Sequence, residues 1–174
     1  MEKVLISDKA CLRAIEPADV DNIYRWENDT TYWDLGCSTA PYSKRQILNY
    51  IENNSSDIYT DRELRLIIEA DGTAVGIIDL INFDLFNSRA AIGILIDKDK
   101  QGLGYGEAAC NMVIDYARNF LGIHQLYAEI PTHNTKSINL FKKLGFIQTG
   151  IMKDWQKTGN TFADIAILQL IFEQ

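Results

Sequence analysis

The apolar positions change period several times along the chain, and each change marks an element. Residues 4–16 read as an opening strand, clearest at Cys11-Leu12-Arg13-Ala14-Ile15. Pro17 suits the first turn of a helix, where its missing N–H does no harm, and Val20, Ile23 and Tyr24 give that helix an apolar stripe. Residues 30–42, with Tyr32, Trp33 and Gly36, show no period and read as irregular. Ser43 is placed to cap a second helix that carries Ile47, Tyr50 and Ile51 on one face. Runs 64–70 and 75–82 read as the strands of a hairpin around Asp71-Gly72. Within 89–97, Ile92, Ile94, Leu95 and Ile96 suit a strand buried on both faces. Ala109, Met112, Val113, Tyr116, Ala117 and Phe120 then recur at helical spacing, and Gly122 closes that helix. Residues 125–130 are strand-like. Asn134 can cap a short helix carrying Ile138, Phe141 and Leu144, stopped by Gly145. Runs 146–151 and 162–172 complete the chain as strands around the turn Thr158-Gly159-Asn160. The order β-α-α-β-β-β-α-β-α-β-β predicts a mixed α/β sheet with helices on its faces.

Composition narrows the class. At 174 residues, with 47% hydrophobic and 24% charged, the chain predicts one globular domain over residues 1–174. Its apolar runs fall short of the ~18 residues of a membrane span, and its first residues lack the long apolar stretch of a signal peptide. The expected setting is cytoplasmic, with no membrane partner. Lys+Arg 17 against Asp+Glu 24 gives a net charge of −7, which repels nucleic acid and favours a cationic substrate. Cys11, Cys37 and Cys110 are odd in number, widely spaced and far from His124 and His133. They predict free thiols in a reducing compartment, with no metal site and no disulfide framework.

One segment carries chemistry. Gln101-Gly102-Leu103-Gly104-Tyr105-Gly106 joins the apolar strand to the most regular helix. The backbone N–H groups of such a loop and of the first helical turn have no intrahelical partner, and the helix dipole adds positive potential. Together they make an anion site for a phosphate or diphosphate. Lys98 and Lys100 stand just before it and can add charge. A dinucleotide fingerprint needs glycine at 107, where Glu107 stands, and a P-loop needs Lys and Ser/Thr after Gly106, where Glu107-Ala108 follow.

The loop resembles the Q/R-x-x-G-x-G/A motif of the GNAT family of N-acetyltransferases, and Asn134 with Phe141-Lys142-Lys143-Leu144-Gly145-Phe146 resembles the family's second signature. The element order fits from Leu12 onward, and the layout is most similar to the ribosomal-protein and spermidine N-acetyltransferase branches. The resemblance implies a mixed, mostly antiparallel sheet splayed between two parallel strands, with helices on both faces. It implies acetyl-CoA as the acetyl donor. Gln101, Gly102, Leu103, Gly104, Tyr105 and Gly106 would hold its diphosphate, and Ile94, Leu95 and Ile96 would pair with the pantetheine arm as an added strand. Asn134 would contact the cofactor, cap its helix, or do both. Phe141 would lie near the arm. Lys143 would reach the 3′-phosphate or stay solvated.

Transfer to a primary amine requires removal of a proton from a group of pKa about 10.4, while a thiol of pKa about 8.5 leaves readily. Direct attack on the thioester needs no enzyme nucleophile. A backbone amide near Leu95 or Ile96 can hold the developing oxyanion. Many relatives carry a tyrosine acid where this chain has Phe141, so Ser137, one turn earlier on the same helix face, is the first substitute, ahead of Tyr105 and Tyr127. Glu129 is the favoured substrate-side carboxylate, or it belongs to a solvated face, and Asp79 shares that ambiguity. Glu27, Trp33 and Asp34 are candidate acceptor residues, and Trp26 and Tyr32 either wall an amine pocket or pack the core. The expected acceptor is a small-molecule amine, a polyamine above all, or a protein N-terminus. The alternatives are a non-catalytic acyl-CoA-binding sensor or interaction module and a scaffold that binds nothing. Exposed sheet edges allow a homodimer.

Overall fold

The computed structural model describes residues 5–33, 35, 40–55 and 57–173. Strand β1 (Cys11–Ala14) is followed by a 3-10 turn at Pro17–Asp19 and helix α1 (Val20–Glu27). Helix α2 (Thr30–Trp33) is a single turn in the stretch expected to be irregular. Asp34, Gly36 and Cys37 lie outside the described residues. Ser43 caps helix α3 (Lys44–Asn53) in a capping box, its hydroxyl accepting from the Gln46 amide while the Gln46 side chain accepts from the Ser43 amide. The one-turn helix α4 (Ile58–Asp61) leads into β2 (Leu64–Ala70) and β3 (Thr73–Asp84). These two join at Asp71 (φ 49°) and Gly72 (φ 71°), the left-handed pair that a two-residue hairpin turn requires. Strand β4 (Arg89–Ile96), helix α5 (Tyr105–Asp115), β5 (Gln125–Pro131), helix α6 (Thr135–Lys143), β6 (Ile147–Thr158) and β7 (Thr161–Ile171) complete the order.

The strands form one seven-stranded sheet in the order β1-β2-β3-β4-β5-β7-β6. All neighbours are antiparallel except β4 and β5, which run parallel. Alternation along the strands divides the core. Leu66, Ile68, Ile78, Leu80, Leu126, Ala128 and Leu168 pack with α5 and α6 on one face, while Ile67 and Ile77 pack with Ile23, Trp26, Ile47 and Ile51 of α1 and α3 on the other. Helices on both faces of a mixed sheet are the expected architecture.

Several local expectations change. The opening strand is confined to Cys11–Ala14, because a turn closed by the Ser7 amide on the Ala10 carbonyl precedes it and Pro17 follows it. Tyr24 is exposed and Trp26 takes its place in the α1 stripe at 2% exposure. After Asp115 the backbone winds as a π turn through Tyr116–Phe120, and the Leu121 amide donates to the Tyr116 carbonyl. The extra residue per turn rotates Phe120 out of the apolar stripe to 70% exposure, stacked on Tyr116. Strand β6 runs to Thr158, well beyond residue 151, because pairing with β7 holds a polar, bulged edge that hydrophobic alternation cannot reveal.

A buried ion pair fixes α1 on the sheet. Arg13 of β1 donates from Nη1 and Nη2 to Asp19 at 2.7 and 2.8 Å, and the Glu16 amide donates to Asp19 at 2.9 Å. Burial alone raises the Asp19 pKa, but the guanidinium and the amide more than offset it, so the net shift is downward. A carboxyl with a depressed folded pKa contributes stability above its unfolded value, near 3.9, and loses it as pH falls through the folded value. Asp19→Asn is expected to lower the unfolding free energy at pH 7 by about 1–2 kcal/mol, since Arg13 is partly solvated. Urea titrations at pH 7 and pH 3 check this: the gap between variant and parent should narrow at the lower pH.

Candidate functional site

The pairing of β4 with β5 begins at Arg89–Gln125, continues through Ala90–Leu126 and ends at Ala91–Tyr127. Beyond it the strands separate. β4 stays with β3 as far as Ile96, and β5 stays with β7 as far as Pro131. From Ile92 to Ile96 the β5-facing edge of β4 therefore has no strand beside it. Polar backbone groups at a half-buried edge require a partner, and an extended ligand that carries amides can supply one. Ile94 and Ile96 point toward α5 and α6, and Leu95 toward the α1–α3 face. On its other edge β4 lies tightly against β3 at Gly76, where a Cβ would overlap the Leu95 carbonyl oxygen.

The chain then turns into the glycine loop. Asp97 caps a 3-10 turn at Lys98–Lys100, and the Asp97 amide donates to the Val75 carbonyl at 2.9 Å. Gln101 donates from its side chain to the Ile96 carbonyl at 3.2 Å and braces the loop against the strand end. Gly102 and Gly104 take φ 79° and 87°, the left-handed conformation that glycine adopts without strain. The amides of Gly102, Leu103, Gly104, Tyr105, Gly106 and Glu107 donate to no described acceptor, and Ala108 is the first to do so, to the Gly104 carbonyl at 3.1 Å. This row of free donors at the N-terminus of α5 has the geometry and the potential to hold an anion the size of a diphosphate. Gly106 sits 3.6 Å from Ile96 and Leu140 and 3.7 Å from Ile94, measured from an added Cβ, so the start of α5 closes against both β4 and α6.

Helix α6 begins at the other wall. Asn134 accepts from the Ser137 amide at 3.2 Å and so acts as the helix cap. The Ser137 hydroxyl makes no hydrogen bond among the described residues. Phe141 is 2% exposed and packs edge-on against Phe146 with ring centroids 5.0 Å apart, inside the core and with no polar atom to offer. Lys143 pairs with Glu107 at 2.6 Å, and Lys98 pairs with Asp29 at 2.6 Å. The charge that Lys98 was expected to lend the loop is thus directed elsewhere.

The opposite face holds the other candidates. Glu27 accepts from Arg65 at 3.0 Å, and Arg65 also grips both oxygens of Asp79 at 2.8 and 3.0 Å. Two carboxylates on one guanidinium leave the cluster with a net charge of −1. Asp79 lies opposite Gly93 in the register, and the space where a Gly93 side chain would stand is open. Across the gap, Tyr127 marks the fork and Glu129 follows it, exposed and on the same face, since Leu126, Ala128 and Ile130 point the other way. Trp33 donates its indole N–H to the Glu27 carbonyl at 2.7 Å. Trp26 is a core residue that donates to the buried Asp97 at 2.9 Å, and its edge lines, with Tyr32, Asp29 and Lys98, a hollow of about 140 Å³. Tyr32 donates to the Ile96 carbonyl at 3.1 Å. Asp79, Glu27 and Glu129 thus flank one gap, while Asp34 lies outside the described residues. Cys110 is buried, and desolvation pushes its thiol up to about 12, which leaves it unreactive. A hollow of about 320 Å³ lined by Ser88, Arg118, His124 and Phe172 opens at the far end of β4 and β5, away from this chemistry.

Sequence reasoning missed the Arg65 clamp, the open space over Gly93, the tight approach at Gly76, and Lys9, whose Nζ lies 3.4 Å from the Leu103 carbonyl. For Gly93 the alternation of the strand held the signal.

Known proteins share this fold. A model of the acetyltransferase (GNAT) domain matches residues 9–147. The spermidine N(1)-acetyltransferase of Vibrio cholerae is 26% identical over 149 residues, covering 83% of this chain and 83% of that protein. The putative ribosomal N-acetyltransferase YdaF of Bacillus subtilis is 31% identical over 101 residues, covering 58% of this chain and 55% of that protein. The crystal structure of the Vibrio cholerae spermidine N-acetyltransferase in complex with CoA and spermine superposes with a TM-score of 0.86 at 21% identity, covering 95% of this chain and 96% of that one, a likeness of fold.

Gly104→Val should weaken coenzyme A binding roughly tenfold or more, the equivalent of about 1.4 kcal/mol, because a branched residue is strained at φ 87° and its Cβ meets Lys9. Gly106→Ala should bind nearly as the parent does, since its Cβ makes only ordinary contacts. Titration calorimetry of the two variants separates these outcomes.

Proposed function

The chain belongs to the acetyltransferase (GNAT) domain family, and from that premise we propose that it acetylates a primary amine of a polyamine, with acetyl-CoA as donor. The row of free amides from Gly102 to Glu107, standing directly after an unpaired strand edge, carries this reading. Acetyl-CoA supplies the thioester that the amine attacks. Ile94, Leu95 and Ile96 orient the arm along β4, and the glycine loop holds its diphosphate. The Asp97 amide donates to Val75, so by the alternation of the ladder the Leu95 amide faces β3 and the Ile96 amide faces the gap; the Ile96 amide is the one that donates to the acyl oxygen as negative charge builds there. Gln101 braces the loop, and Asn134 orders the start of α6. Glu129 takes the amine's proton, directly or through water, as the C–N bond forms; the C–S bond then breaks, and Ser137, on the helix face it shares with Phe141, gives a proton to the departing thiolate and regains one from water.

The acceptor enters from the α1–α3 face. Glu27 and Asp79, with one positive charge between them, and the exposed Glu129 set a negative field around the open space over Gly93. That field suits a polycation better than a single N-terminal amine, as does the net charge of −7. Relatives named for spermidine support the same acceptor. A protein N-terminus is the second acceptor to test. The cytoplasm is the proposed compartment: Cys11 and Cys110 are free thiols, and no helix among the described residues is long and apolar enough to cross a membrane. The exposed edge strand β6, with Ile147, Ile151 and Trp155, is the proposed homodimer surface.

Thiol release from acetyl-CoA in the presence of spermidine, spermine, an N-terminal peptide and an aminoglycoside tests the assignment. Polyamines should give the highest kcat/KM, and added salt should lower it by raising KM. Ser137→Ala should reduce kcat by about a hundredfold, the low end of acid catalysis, with little change in coenzyme A affinity. Tight coenzyme A binding with no turnover across the panel would instead favour a non-catalytic acyl-CoA sensor, the reading that the apolar Phe141 motivates.

A further inference from the structure

We propose that Lys9 is a direct ligand of the coenzyme A diphosphate, adding a full positive charge to the amide cradle. The inference rests on the acetyl-CoA reading above. The segment 101–106 contains no charged side chain. Of the lysines around it, Lys98 is held by Asp29 and Lys143 by Glu107, while Lys100 closes the 3-10 turn before Gln101 and makes no hydrogen bond to the loop among the described residues. Lys9 makes no ion pair among the described residues, and its Nζ reaches the Leu103 carbonyl at 3.4 Å from 94 positions away in sequence. That ammonium stands over Gly104, 2.5 Å from where a Cβ would be.

The placement is built into the backbone. Ser7 closes a turn by donating from its amide and its hydroxyl to the Ala10 carbonyl, each at 2.9 Å, while its hydroxyl accepts from the Ala10 amide at 3.1 Å and the Lys9 amide at 3.3 Å. The Leu12 amide donates to Leu5, and Ala10 is buried in the core. Lys9 therefore projects from an anchored turn over the glycine loop. Backbone amides supply partial charges, and an ammonium facing phosphate oxygens makes a stronger, charge-assisted bond. Glu107 is the carboxylate in the first turn of this helix, and Lys143 neutralises it.

Titration calorimetry on the full chain tests the assignment with coenzyme A and 3′-dephospho-coenzyme A as probes. Lys9→Gln should weaken both ligands by the same factor, about tenfold, and should make the slope of log Kd against log salt shallower. Lys9→Arg should restore most of the affinity, and the melting temperature of ligand-free Lys9→Gln should match the parent. Unchanged affinity in Lys9→Gln would overturn the proposal. So would a loss confined to coenzyme A, which would place Lys9 on the 3′-phosphate, or a ligand-free protein that melts well below the parent, which would make Lys9 a structural residue. A parent protein that binds neither probe would overturn the acetyl-CoA reading and this inference with it.

Discussion

The parallel contact between β4 and β5 ends at Ala91 and Tyr127, and the site depends on that early ending. Each strand remains paired on its outer side, to β3 and to β7, so the sheet stays one body while a wedge opens at its centre. An unpaired strand edge is costly when half-buried. On the function proposed above it serves as a binding surface, because an extended chain bearing amides would restore the lost hydrogen bonds. Ile94 and Ile96 on one side and Leu95 on the other hold β4 rigid through the core. The edge is therefore preformed, and binding does not have to order it.

Charge is distributed to match. At the end of β4 the free amides of the loop and the dipole of α5 attract an anion. On the opposite face Arg65 gathers Glu27 and Asp79 into a cluster that keeps one net negative charge, and Glu129 stands exposed across the gap. On the proposed function, the donor would be drawn from the amide end and the acceptor from the carboxylate side, so the two would meet at the fork without competing for the same field. Asp97 marks the boundary between the two. Burial alone would raise its pKa, but the Trp26 indole, the Asp99 amide and Arg25 more than compensate and hold it ionised, which fixes the strand end from which the loop springs.

Much of this was legible in the sequence where structure is local. Glycines at 102 and 104 before a regular helix, Ser43 and Asn134 as caps, and Asp71-Gly72 as a turn each act within a few residues. The acceptor side was harder to read because α1, β2, β3 and β5 each contribute to it. A two-residue turn at 71–72 by itself sets Arg65 opposite Ile78, but the bulge after Ile68 shifts it to Asp79, and the ion pair follows from that shift. The π turn that expels Phe120 is equally invisible to helical periodicity. Lys9 is separated from its loop by almost the whole first half of the sheet, so no spacing rule connects them. Phe141 is legible as a departure from its relatives' tyrosine, and its burial against Phe146 explains the apolar choice as packing.

A crystal structure with bound coenzyme A is the most direct measurement of the central claim. The pantetheine arm should lie in the wedge, hydrogen-bonded to backbone between Ile92 and Ile96, with its diphosphate on the amides that follow Gln101. An arm bound elsewhere, with β4 and β5 zipped together beyond Ala91 and the glycine loop empty, would contradict the account.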